Sequence, residues 1–288
     1  MKKQIRLLLV AFFSIIVSAV GQEVWKKVTN TKLFPTNELV IRKQTPANFD
    51  LYDIDFTVLN TKLVKALPRT SETSNNLIVK LPTPLGIQRF LVKEASVLSA
   101  ALAAKHPTIK SYVGVGLDDP TAIARFSKSV KGFHAMITSG NYQMFLIDPY
   151  TKDKNTSITY YKKNSANKDF ECLVTETKNT IANKTNVTIS DGKLRTYRLA
   201  LIATGEYSQF HLSGSSATTD AEKKAEVLAA MNTTMTRVNG IFETDLGVTM
   251  EIVANNTDLI FLNGATDNLT NGDGGTLIDE SQVLCDAT

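Results

Sequence analysis

At 288 residues the chain has the length of one large or two modest domains, and its 43% hydrophobic share is ordinary for a globular protein with a real core. Its formal net charge of +4 falls to +1 without the three basic residues of the first 21 positions, so charge gives no nucleic-acid signature. Two cysteines, Cys172 and Cys285, are too few for a disulfide framework, and the sequence leaves open whether they pair.

Lys2, Lys3 and Arg6 precede an apolar run from Leu7 to Val17, and the small residues Ala19-Val20-Gly21 offer a cleavage point before Gln22. The pattern predicts a signal peptide over 1–21 and a secreted, extracellular protein. The run is too short to span a bilayer comfortably, and no later segment is apolar enough to span one.

From Gln22 to about Cys172 the pattern is strand-rich with one helical interruption. Leu77 to Val79 and Ile87 to Val92 read as a hairpin around Pro82, Pro84 and Gly86. Val97, Leu98, Ala101 and Leu102 recur at helical spacing in a stretch that His106-Pro107 ends, because the residue before proline is pushed out of the α region. Tyr112–Val115, Ala122–Phe126, Gly132–Ile137 and Tyr142–Ile147 are short apolar runs parted by turn residues, a predicted β-meander. Gly140-Asn141 suits a two-residue hairpin loop between the last two. The lysines at 152, 154, 162, 163 and 168 lie among Asn, Ser and Thr and read as a solvated loop. Thr175 to Lys193 lacks apolar periodicity and reads as an exposed, protease-accessible linker.

Beyond the linker, Tyr197–Ala203 reads as a strand buried on both faces. A long helix follows, with a capping box at Thr219 and Glu222. Its apolar stripe is Ala221, Ala225, Leu228, Met231, Met235, Val238, Phe242 and Leu246, and Gly247 stands at its C-terminal cap. Val248, Met250, Ile252 and Ala254 alternate as a strand, and Leu259–Leu262 is a further apolar run. Strand, helix and strand form a βαβ unit whose strands should be parallel. Three strands and one helix are too few to enclose a core alone.

No catalytic or metal-binding constellation is visible. His106, His134 and His211 lie far apart in sequence, and none has zinc-ligand spacing. His134 reads as a structural histidine in a strand, His106 as helix termination and His211 as a loop residue. Asp267 to Glu280 fails as a calcium loop, since Leu269 and Ile278 occupy positions that need oxygen ligands. There is no Gly-x-Ser-x-Gly elbow, no phosphate loop and no weight in the sequons at Asn155, Asn183, Asn186, Asn232, Asn255 and Asn268. Cys172, just before the linker, has two readings: a buried free or disulfide-bonded cysteine, or an inhibitory zinc ligand removed when the linker is cut.

Three stretches, Tyr197–Tyr207, Met231–Asn239 and Leu246–Asn256, resemble the secreted bacterial reprolysin-like (adamalysin-type) zinc metallopeptidases of the metzincin group. Gly132–Ile137 and Ile147–Tyr150 resemble their propeptides. The resemblance implies an α+β chain: signal peptide at 1–21, a β-rich propeptide-like domain at 22–174, a linker at 175–193 and a strand-helix-strand-strand part of a catalytic domain at 194–288. It also implies a protein or peptide substrate and zinc held by a His-Glu-x-x-His-x-x-Gly-x-x-His helix whose glutamate is the general base, while charge and hydropathy predict no nucleic-acid partner and no membrane partner after signal removal. That motif is absent from this sequence, and Leu199 and its neighbours offer no match for the calcium-binding glutamate of some members. The expectation is therefore an N-terminal fragment of a zinc endopeptidase precursor, inactive by itself, with no catalytic and no metal residues of its own and no cofactor. A non-catalytic secreted β-rich binding or adhesion protein is the alternative.

Overall fold

The computed structural model describes residues 23–29, 34–42, 45–74, 76–164 and 192–287, so the stretch expected to be a signal peptide, Cys172 and all but the end of the expected linker lie outside the described residues. Among the described residues no helix is long and apolar enough to cross a membrane.

The first region is a nine-stranded antiparallel sheet in the order β1-β2-β9-β8-β7-β6-β5-β4-β3. Its strands are β1 (Trp25–Lys27), β2 (Asp50–Ile54), β3 (Ile78–Thr83), β4 (Gly86–Glu94), β5 (Lys110–Gly116), β6 (Ile123–Ser129), β7 (Gly132–Thr138), β8 (Phe145–Pro149) and β9 (Thr156–Tyr161). The end strands β1 and β3 approach each other, so the sheet curls into a nearly closed barrel. Trp25, Phe90, Phe126, Phe133 and Ile147 fill it, and Phe126 lies between Tyr112 and Phe133 with ring centroids 4.9 and 5.4 Å away. Two short helices flank the strands, α1 (Phe56–Leu63) and α2 (Ala100–Lys105), where one had been expected.

The β3–β4 hairpin forms as expected, with Pro82 tolerated because β3 ends the sheet. β7 and β8 are antiparallel, but their ladder closes at Ile137 and Phe145, so the connection is longer than the two-residue loop expected. Asp119 organises it, accepting hydrogen bonds from Ser139 Oγ at 2.6 Å and Thr121 Oγ1 at 2.6 Å. These contacts, Ser139's first, hold the Asp119 carboxyl down at about 2. The lysine-rich stretch is not one solvated loop: β9 runs through its middle, paired with both β2 and β8. Its hydroxyls are satisfied in place, as when Thr156 Oγ1 donates to Asp53 at 2.7 Å.

The second region opens with β10 (Arg195–Leu199), followed by α3 (Gly205–Leu212), the 27-residue α4 (Asp220–Leu246), β11 (Val248–Ile252) and α5 (Gly274–Ala287). β10 and β11 pair in parallel, Arg195 opposite Val248 and Leu199 opposite Ile252, as the βαβ pattern requires. The capping box at Thr219 and Glu222 is present, and Gly247 ends α4 in the left-handed region at φ 63°.

Three expectations are corrected. β10 is not buried on both faces: Tyr197 is 55% exposed, because no described layer covers that side. Leu259–Leu262 is not a full strand: Leu259 ends the 3-10 turn Asn256–Leu259, and Ile260 alone forms a parallel bridge, to Ala203. The chain order also contains α3 and α5, two helices that strand-helix-strand-strand omits; His211 therefore sits in the last turn of α3 and not in a loop.

Candidate functional site

α4 has two working faces. Leu228, Met231 and Met235 lie on the predicted apolar stripe and pack with Ala203, Ile252 and Ile260. Val97, Leu98, Leu102 and Ile109, from the segment between β4 and β5, complete that core. Leu98 bridges Ile252 in parallel, with Ile252 N–H donating to the Val97 carbonyl at 2.8 Å and Ser99 N–H to the Ile252 carbonyl at 3.0 Å. The segment 97–99 thus continues the β10–β11 sheet, and an upstream stretch supplies the wall that the later elements lack.

The second face carries the adjacent pair Asn232-Thr233, then Thr236, Gly240 and Glu243 at steps of three or four residues, and lies on the outer surface of β5–β8. Alternation in those strands puts Tyr112 and Phe126 inside the barrel and Ser111, Arg125 and Ser127 outside. Ser111 Oγ donates to Asn232 Oδ1 at 2.8 Å and accepts from Thr236 Oγ1 at 3.0 Å, while the Ser127 and Thr233 hydroxyls meet at 3.0 Å. Arg125 and Arg69 both donate to Glu243, at 2.6 and 2.8 Å. Burial would raise the Glu243 carboxyl, but the two guanidiniums outweigh it and hold it below its ordinary value.

The densest cluster centres on Asp148 of β8. It accepts from Arg237 of α4 at 2.7 Å and from Tyr160 Oη at 2.8 Å, and it meets His134 Nδ1 at 2.7 Å. Burial opposes its ionisation, yet Arg237 and His134 prevail and keep the carboxyl well below the usual carboxylate range. His134 is thus the structural histidine expected, its Nε2 lying 3.3 Å from the Lys131 carbonyl. At the near end of α4, Lys131 donates to Glu226 at 2.8 Å and to the His211 carbonyl. His211 packs against Tyr207 with ring centroids 4.4 Å apart and planes tilted by 55°, and burial first, then the charge of Lys131, lowers its pKa to about 4.

Two side-chain amides stand in for ladder partners, and sequence reasoning missed both. Asn239 pairs with the N–H and C=O of Met250, at 3.0 and 2.8 Å. Asn256 does the same for Leu201, at 2.8 and 3.0 Å. For the contacts of α4 with the sheet the available signal was the run Asn232-Thr233-Thr234 inside a helix: poor helix formers there need tertiary contacts to hold them. Asn232 is also buried and bonded, in keeping with giving its sequon no weight.

The described residues do not fit a catalytic zinc. Among the described residues no group of three or more His, Cys, Asp or Glu side chains could hold a metal ion. His106 closes α2, and His134 is engaged at both ring nitrogens. Asp267, in the stretch tested as a calcium loop, is buried and accepts from Gly205 N–H at 2.7 Å and Leu269 N–H at 3.0 Å, pinning the start of α3. Cys172, the candidate inhibitory zinc ligand, lies outside the described residues.

Residues 193–287 match the family model described as Metallo-peptidase family M12B Reprolysin-like. The matched stretch covers β10 through α5, and this part of the chain is similar to metallopeptidases of that kind. No curated protein matches the chain.

Proposed function

We propose that the chain is the N-terminal portion of an exported zinc-dependent endopeptidase precursor. In this reading residues 1–21 are its signal peptide, 22–174 a propeptide-like domain, 175–193 the connecting linker and 194–288 the opening part of a metzincin-type catalytic domain. The observation that carries it is a coincidence: the stretch matching the reprolysin-like model holds the parallel β10–α4–β11 unit. The substrates are proteins or peptides outside the cytoplasm, as the leader-like first residues suggest. The 288-residue chain itself, without a His-Glu-x-x-His motif, takes up no stoichiometric zinc and cleaves nothing. Cys172 is the candidate inhibitory ligand of the longer precursor.

The test is to read the DNA beyond the codon for Thr288. A His-Glu-x-x-His motif, in frame or after a frameshift, supports the peptidase, and a stop with no such motif nearby overturns it in favour of a non-catalytic secreted binding protein. A zinc-to-protein ratio near one after metal loading of the present chain would contradict its predicted inactivity.

A further inference from the structure

We propose that the outer face of β5–β8, together with the segment 97–109, is an autonomous docking surface for residues 192–287. The two regions then stay together as one complex when the chain is cut between residues 164 and 192. The inference concerns association alone and does not depend on the peptidase reading.

Three features of the contact carry it. The first is a shared apolar core: Val97, Leu98, Leu102 and Ile109 are buried against Val227, Leu228, Met231 and Ile252, and separation would return all of them to water. Buried polar groups of one region also find their partners on the other. Ser111 with Asn232 and Thr236, and Arg125 with Glu243, would lose their hydrogen bonds, and Arg125 is a buried charge whose ion-pair partner lies across the contact. Finally, charges are matched along the helix, Lys131 with Glu226, Asp148 with Arg237, and Arg125 and Arg69 with Glu243. A covalent tether adds effective concentration, and the contact is expected to hold without it.

Shape adds a fourth argument. Gly240 faces the sheet at the point of closest approach, where a Cβ would lie 2.7 Å from Arg125 Cγ and 2.9 Å from Met136 Cε. Glycine inside a helix is a poor choice for the helix itself, so its presence there fits the demands of the contact.

The experiment places a site-specific protease recognition sequence between residues 164 and 192 of the full chain, cuts it, and measures mass in solution at about 10 μM by size-exclusion chromatography with light scattering. The expected result is one species with the mass of the uncut chain. Separate elution, or precipitation of the helical piece, overturns the proposal. Two variants locate the contact. Gly240→Leu, a better helix former, should leave the uncut chain helical by circular dichroism but let the cut pieces separate; cut pieces that bind as tightly as before would overturn the assignment to this face. Because that variant could fail to fold, Lys131→Glu serves beside it. Placing it against Glu226 should weaken the cut complex about tenfold, and adding Glu226→Lys should restore part of the loss. Absence of both effects would remove Lys131 and Glu226 from the docking surface and with them the proposed role of matched charge.

Discussion

The barrel and the region from residue 192 onward differ in who supplies their cores. Every residue of the barrel's main cluster, from Val24 to Ile147, comes from the first region itself, with Leu59 and Leu63 of α1 packed beside the strand residues around Phe90, Phe126 and Phe133. The later region cannot do this: its cluster needs four side chains from 97–109, β10 is largely exposed, and α5 buries no residue. A self-contained core and a borrowed one should therefore fail differently. Phe126→Ala removes the ring between Tyr112 and Phe133 and should cost about 4 kcal/mol, the largest effect foreseen here. Because α4 lies on the outside of the same sheet, its helical signal should be lost in the same urea transition as the barrel's aromatic signal. Two separated transitions would break the idea that one core leans on the other.

The difference also explains what could be read in advance. Features written in local sequence were legible: the hairpin around Pro84, the meander strands, the capping box at Thr219, the cap at Gly247 and the parallel βαβ unit. Strand β9 was hidden because its Thr, Ser and Tyr residues look like loop until hydroxyl partners on neighbouring strands are known. α4 was half legible. Its apolar stripe follows a helical period, whereas its second face is made of Asn, Thr, Gly and Glu and has meaning only against Ser111, Arg125 and Ser127. The absence of a His-Glu-x-x-His motif was plain from the sequence; that the buried charge of Asp148 and the partly buried charge of Glu243 serve a contact between regions was not.

A pH titration sharpens the comparison at the place where α3 meets the barrel. Burial and Lys131 depress His211 from the ordinary 6.5 to about 4 in the folded protein. The unfolded chain therefore binds this proton first as pH falls. The stability His211 contributes is complete above about pH 6.5, declines through the interval and is lost by about pH 4, a change of about 2 kcal/mol after allowance for partial exposure. Asp148 and Glu243, whose folded values are also depressed, add losses only further into acid. Chemical denaturation at pH 7.5, 6, 5 and 4.5 should show this decline, and His211→Gln should flatten it. An unchanged slope in the variant would mean that the ring is hydrated and that α3 does not close on Lys131.

The smallest effect belongs to the start of α4, where local structure and docking can be told apart. Thr219 Oγ1 accepts from Glu222 N–H at 3.3 Å, and Glu222 Oε2 accepts from Thr219 N–H at 2.9 Å, which with the bond from Thr218 N–H keeps the Glu222 carboxyl at about 2. These groups are exposed, and the first fully buried position of the helix is Val227, well beyond them. Thr219→Ala should cost about 1 kcal/mol, felt as faster hydrogen exchange of the amides at 220–224 and not of those facing Ser111 and Arg125. The capping box sets where the helix begins, and the sheet beneath its middle decides whether it stays; faster exchange spreading to Asn232 and Thr236 would show that the docked segment depends on the cap after all.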